Sequence, residues 1–202
     1  MSMQKKRDTN RRQFLLFTQL FAVLFASGCA GALFKVKPIV DLPPLPESSK
    51  SVSAGGITLR VAPLLTDEDS QDLFEANLPV AGLLPVRMEF VYESGVPVEI
   101  KRARFRLQDA EGRQWKLLNA KQATSRILKA NDIYAYNPNS RKQFEREFGT
   151  YEIDLKTPLT PADRRRQGFL FFQTPDKQPV ESPPDLTLIV EHLPQPIELK
   201  IN

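Results

Sequence analysis

Leu84-Pro85-Val86-Arg87-Met88-Glu89-Phe90-Val91-Tyr92 puts a large apolar side chain at every second position, with Arg87 and Glu89 between them. Successive side chains of a strand point to opposite faces, so this alternation predicts a β-strand with one face buried and the other in water. Ile57, Leu59 and Val61 repeat the pattern upstream against Thr58 and Arg60. Downstream, Gly168-Phe169-Leu170-Phe171-Phe172 is apolar on both parities, which predicts a central strand covered on both faces.

Between these runs the punctuation is that of short strands and turns. Ser94-Gly95 turns the chain into Val98 and Ile100, after which the apolar parity slips to Ala103, Phe105 and Leu107. A one-residue slip would flip every side chain to the wrong face, so a bulge or bend is expected near Lys101-Arg102. Asp109-Ala110-Glu111-Gly112 reads as a hairpin loop leading to Trp115 and Leu117. Tyr151, Ile153 and Leu155 suggest a further strand. Leu186, Leu188 and Val190, then Ile197, Leu199 and Ile201, suggest two more, split by Pro194 and Pro196. Seven or eight short strands favour a mainly all-β domain over residues 57–202, arranged as an antiparallel β-sandwich.

Two segments break the period of two. Thr66 to Leu78 opens with a capping-box spacing from Thr66 to Asp69 and offers Leu73 and Phe74 for burial, so a short helix or turn is expected. From about 119 to 148, Ala120, Ala123, Ile127 and Ala130, then Phe144 and Phe148, recur at helical spacing, with Arg141 four residues before Glu145. This reads as a helical insertion. Connections of that length within a sandwich are uncommon and often functional. Tyr134, Tyr136, Arg141 and Arg146 belong to the residue types enriched at protein interfaces, and they form the candidate partner-binding surface. Phe144 and Phe148 are expected inside, and the two tyrosines partly exposed near Asn137-Pro138.

The inventory for catalysis is thin, and the expectation is a protein that is not an enzyme. His192 is the only histidine. No Gly-x-Ser-x-Gly elbow or Ser-x-x-Lys motif is present to supply a nucleophile, so His192 reads as a structural residue at a strand end. One histidine and one cysteine do not make a zinc site, and the acids Asp67, Glu68, Asp69, Asp72 and Glu75 lack the glycine and glutamate of an EF-hand in register. Arg164-Arg165-Arg166, after a capped turn at Thr160-Pro161-Ala162-Asp163, reads as a solvated lead into the Gly168 strand. Neither a metal nor a cofactor is called for.

The first thirty residues have a different character. Lys5, Lys6, Arg7, Arg11 and Arg12 precede an apolar run from Phe14 to Phe25, interrupted only by Thr18 and Gln19. A membrane-spanning helix needs about 20 apolar residues. The shorter run here suits the core of a signal peptide over residues 1–28. The whole chain carries a net charge of +4. That excess lies in this segment, where five basic residues face the single Asp8, and the remainder is balanced. No basic footprint for nucleic acid is left. Residues 29–56 hold Pro38, Pro43, Pro44, Pro46, four serines and Gly55-Gly56, and read as a semi-extended tether.

Ala26-Ser27-Gly28-Cys29 resembles the lipobox of bacterial lipoproteins, with Ala26 where the family usually has Leu. The resemblance implies cleavage before Cys29 and lipidation of that residue, the only cysteine in the chain. Lipid chains contribute ~0.8 kcal/mol per buried CH₂, so such an anchor would be stable. Asn10-Arg11-Arg12-Gln13-Phe14-Leu15-Leu16 resembles the twin-arginine export motif, departing from it at Asn10 and Leu16. Arg11 and Arg12 are then the export signal, and the alternative is the general secretory route. Ala30 stands where some enteric lipoproteins carry the Asp of inner-membrane retention, so the outer membrane facing the periplasm is the expected destination. Gly168-Phe169-Leu170-Phe171-Phe172-Gln173-Thr174-Pro175 is loosely similar to a late strand of small immunoglobulin-like domains of exported bacterial proteins. That likeness implies a scaffold with no activity attached. The functional expectation is a non-catalytic envelope lipoprotein that binds another protein or supports an assembly. The alternative is an envelope hydrolase or carbohydrate-active enzyme.

Overall fold

The computed structural model describes residues 33–181 and 185–202. Cys29, Arg11 and Arg12 lie outside the described residues. Among the described residues, eight strands and three α-helices follow in the order β1 (Lys50–Ala54), β2 (Ile57–Pro63), α1 (Asp67–Phe74), β3 (Leu83–Tyr92), β4 (Arg104–Gln108), β5 (Gln114–Leu118), α2 (Ala120–Ala130), α3 (Pro138–Gly149), β6 (Arg165–Gln173), β7 (Thr187–Glu191) and β8 (Ile197–Lys200). The strands form one antiparallel sheet in the order β1-β2-β3-β6-β5-β4-β7-β8. The sheet bends until its ends approach, and the β1–β2 turn at Gly55 lies beside Pro194 of the β7–β8 turn. The all-β, antiparallel expectation therefore holds as a class. The strands are joined into one nearly closed, barrel-like sheet, however, in place of the two facing sheets of a sandwich.

The longest ladder pairs β3 with β6, from Leu83 opposite Gln173 to Val91 opposite Arg165. Their even-numbered apolar residues, Leu84, Val86, Met88, Phe90, Leu170 and Phe172, face the interior with Ile57, Leu59, Phe105, Leu107, Trp115, Leu188 and Val190. Leu83, Phe169 and Phe171 face outward and are covered by Phe74 of α1, Ala123 and Ile127 of α2, Phe144 and Phe148 of α3, and Tyr151. β6 is thus buried on both faces, as its sequence predicts. β3 is buried on both faces too, which corrects the reading of Arg87 and Glu89 as solvent-facing. Glu89 is 3% exposed and held between Arg60 at 3.0 Å and Arg165 at 3.3 Å. Helices packed on the outside of the sheet create this second layer, and alternation within a strand cannot report what covers its polar face.

The local signals are realised at both helical segments. Thr66 caps α1 by accepting from the Asp69 N–H. Asn119 and Gln122 form a reciprocal capping box at the start of α2, and Asn137 precedes Pro138 at the first position of α3. Lys101-Arg102 is a turn, as the parity slip requires, and the Gly112 N–H closes the β4–β5 loop onto the Asp109 carbonyl at 3.0 Å. β5 departs from its predicted parity: Leu117 is exposed, and Leu118 is buried on the outer face under the helices.

Tyr151 to Leu155 is not a strand. β5 pairs only with Phe171 to Gln173 of β6, and upstream of that the segment Tyr151 to Ile153 takes the vacant edge. The Phe169 N–H donates to the Tyr151 carbonyl at 2.7 Å, and the Ile153 N–H donates to the Phe169 carbonyl at 3.2 Å. Gly168 permits the approach, because a Cβ there would stand 2.5 Å from Ile153 Cα.

Much of the stretch read as tether belongs to the folded unit. Lys50–Ala54 pairs with β2 as an edge strand. Ahead of it, the Phe34 ring packs on Phe144 at 4.9 Å between centroids, the Lys37 N–H donates to the Leu73 carbonyl at 2.9 Å, and Tyr151 Oη donates to the Lys37 carbonyl at 2.8 Å. Val36 and Leu45 are buried. Proline and serine content signals an absence of helix, but a few apolar residues suffice to fasten an extended strap.

Candidate functional site

The helical hairpin α2–α3 carries the predicted partner surface. Its connection, Asn131 to Asn137, is tight enough to place Asp132 in the left-handed region, at φ 53. Tyr134 stands at the tip, 70% exposed, with Oη bonded to the Asp132 carboxylate at 3.2 Å. Tyr136 is half-buried against Arg141, whose guanidinium carbon lies 5.5 Å from the ring centroid and whose Nη1 donates to Tyr136 Oη at 2.5 Å. Arg141 also donates through Nε to Glu145 at 2.7 Å and through Nη2 to Ser125 Oγ at 2.8 Å. One guanidinium therefore ties the loop, α2 and α3 together, and its hydrogen bonds to Glu145 and Tyr136 raise its pKa above the ordinary arginine value. Arg146 is exposed on α3. Phe144 and Phe148 are buried beneath, so the rings divide between core and surface as their spacing predicts. Of the four residues singled out, Tyr134 and Arg146 are presented to solvent, and Tyr136 with Arg141 forms their rigid support.

Beside the hairpin lies a feature that composition hides. A groove of about 470 Å³ between α2 and the ends of β5 and β6 is lined by Lys116, Lys121, Arg126, Lys129 and Lys177, with no acidic residue in its walls. Arg126 is engaged, donating to the carbonyls of Ala81 and Lys177. None of the four lysines has an ion-pair partner among the described residues. A stretch balanced in total charge, as the chain is beyond its first thirty residues, can still carry a one-sign patch. The signal was present in Ala120–Ala130, which holds three cations and no acid.

Other candidate groups are committed to the scaffold. Asp109 is buried at the β4–β5 turn and accepts from the Arg113 N–H and Nε, both at 2.9 Å, and from the Trp115 indole at 3.4 Å. Burial alone would push its carboxyl up, but these donors outweigh burial and hold it below the usual aspartate value. Arg166 is buried and donates to the carbonyls of Asp154 and Thr157 and to Asp163, so it clamps a loop. His192 directly follows β7, at the strand end as read, but it is exposed and at φ 63 in the turn to β8, so burial gives it no structural role. Among the described residues no group of three metal-ligating side chains comes together. No protein-family model, curated protein or solved structure matches this chain.

Proposed function

We propose that this chain is a lipid-anchored envelope protein whose domain is a non-catalytic docking module, with the tip of the α2–α3 hairpin as its contact surface. The observation that carries the docking role is Tyr134: a large ring held in water on a loop that Arg141 links, through Tyr136, to Glu145 of α3 and Ser125 of α2. A rigid exposed aromatic loses little conformational freedom on binding, which is what makes tyrosine effective at interfaces. The lysine groove beside it would select a partner with acidic character and steer its approach.

Anchoring rests on the Ala26-Ser27-Gly28-Cys29 sequence. Since the chain is already fastened at Phe34, a lipidated Cys29 would be joined to the domain by a leash of about five residues, reaching at most ~17 Å. The module would then work close to the bilayer surface, a different geometry from the long tether that composition suggests.

Both parts are open to direct test. Cys29→Ser should yield a protein without lipid, seen as loss of acyl mass and loss of membrane partitioning once the signal is removed; full retention of membrane association would refute the anchor. Tyr134→Ala should leave stability within about 0.5 kcal/mol, as for an exposed site, and weaken capture of crosslinked partners at least tenfold, equivalent to ~1.4 kcal/mol. Undiminished capture by that variant would remove the tip from the interface.

A further inference from the structure

On the outer face of β3, Arg87 is 4% exposed and has no ion-pair partner among the described residues. Among the described residues its only hydrogen bond runs from Nη2 to Gln167 Oε1 at 3.2 Å, and its buried Nε has no acceptor. The nearest buried carboxylate, Glu89, is already engaged by Arg60 and Arg165. Burial pulls the Arg87 pKa down, with Glu89 acting in the opposite sense, yet an arginine remains charged at any physiological pH. A buried, charged and unpaired guanidinium is costly, and proteins retain such groups where an anion completes them.

Arg87 lines a cleft of about 360 Å³. One wall is the strap Leu42 to Pro46, and the others come from Pro63, Leu64, Leu73 and Phe169, so the body of the cleft is apolar. Its rim is acidic, with Glu68, Asp69 and Asp72 of α1. Asp72 is paired with Lys37, while Glu68 and Asp69 have no ion-pair partner among the described residues. A polyanion would be repelled by this rim, so inorganic phosphate is a poor match. A cation alone would leave Arg87 unsatisfied. A water occupies roughly 30 Å³ of liquid, so the volume suits about a dozen heavy atoms.

We propose that this cleft binds a zwitterion of dipeptide size, its carboxylate on Arg87, its apolar side chain against Phe169 and the proline strap, and its ammonium at Glu68 and Asp69. The guanidinium would donate end-on to the carboxylate, through Nη1, which has no partner among the described residues, and the second N–H of Nη2, whose first goes to Gln167. This reading is independent of the docking surface and of the lipid anchor.

The test is calorimetric titration of the full-length protein in detergent with alanyl-leucine, its N-acetyl form, its C-terminal amide, and inorganic phosphate. The free dipeptide should bind saturably and raise the melting temperature, with the amide and the acetylated form each at least tenfold weaker and phosphate not binding. Arg87→Gln should abolish binding without lowering the melting temperature of the ligand-free protein, since it removes an unpaired buried charge. Glu68→Gln combined with Asp69→Asn alters exposed side chains only, and should erase the preference for the free over the acetylated amine even if the arginine variant fails to fold. The proposal is overturned if the dipeptide does not bind, if phosphate binds as tightly, or if the acetylated and free forms bind the wild type equally.

Discussion

Phe74→Ala should remove about 3–5 kcal/mol of stability, the range for emptying a buried phenylalanine site, and in a domain of ordinary stability that is much of the total. Phe74 is fully buried at the centre of the outer layer, with ring centroids 4.9 Å from Tyr151, 5.1 Å from Phe148, 5.9 Å from Phe169 and 6.3 Å from Phe171. Tilted and edge-on aromatic pairs of this kind add to the stabilisation from area alone. The ring also joins α1 to β6, α3 and the Tyr151 segment, so its loss leaves a cavity that several elements would have to close together. Urea denaturation followed by circular dichroism measures the effect. A cost below about 1 kcal/mol would mean that the outer layer is not packed as described. Phe74→Leu should recover most of the loss, because it refills the volume and forfeits chiefly the ring geometry.

Gly168→Ala should be nearly as damaging, although it adds one methyl group. The new Cβ would lie 2.5 Å from Ile153 Cα and 2.8 Å from both Ile153 N and Cβ. These are mostly backbone atoms, and no rotamer change relieves them. For the segment to retreat it would have to give up its two hydrogen bonds to Phe169, each worth about 1 kcal/mol. Overpacking typically costs 1–3 kcal/mol, and a clash against hydrogen-bonded backbone belongs at or beyond the top of that range, so a loss of about 3 kcal/mol is expected. Gly149→Ala is the control. It sits at the end of α3 with Ala120 Cβ at 3.9 Å as its nearest neighbour, so the same chemical change should be neutral or mildly stabilising. Equal effects at the two positions would rule out the close approach as the cause.

The inner face of the sheet was legible because Leu84, Val86, Met88, Phe90, Leu170 and Phe172 obey a period of two that a covered face enforces. Of the two helical segments, the first was legible from the Thr66 spacing and the second from the apolar repeat of Ala120, Ala123, Ile127, Ala130, Phe144 and Phe148. The outer layer was hidden. Arg87 and Glu89 look like solvent residues in a single strand, and only the partners that other elements bring to them, Arg60 and Arg165 at Glu89 and the strap and α1 beside Arg87, show otherwise. β1 was missed because Lys-Ser-Val-Ser-Ala is an exposed edge strand with little apolar content. The cleft over Arg87 assembles from the strap, α1, β3 and β6, and the lysine groove from α2, β5 and the chain after β6. Sites built from such distant pieces leave no local spacing to read.

The central ladder also sets a clock. Arg87 and Gln167, joined across β3 and β6, stand 80 positions apart in the chain. At a synthesis rate of ~5–20 residues per second, β3 would wait several seconds for the strand that completes it. The β1–β2 and β4–β5 hairpins need no such wait, but the sheet cannot close until β6 arrives, and non-local pairing is slow even then. For that interval the edge of β3 that β6 will cover is unpaired, and it is the surface most in need of shielding.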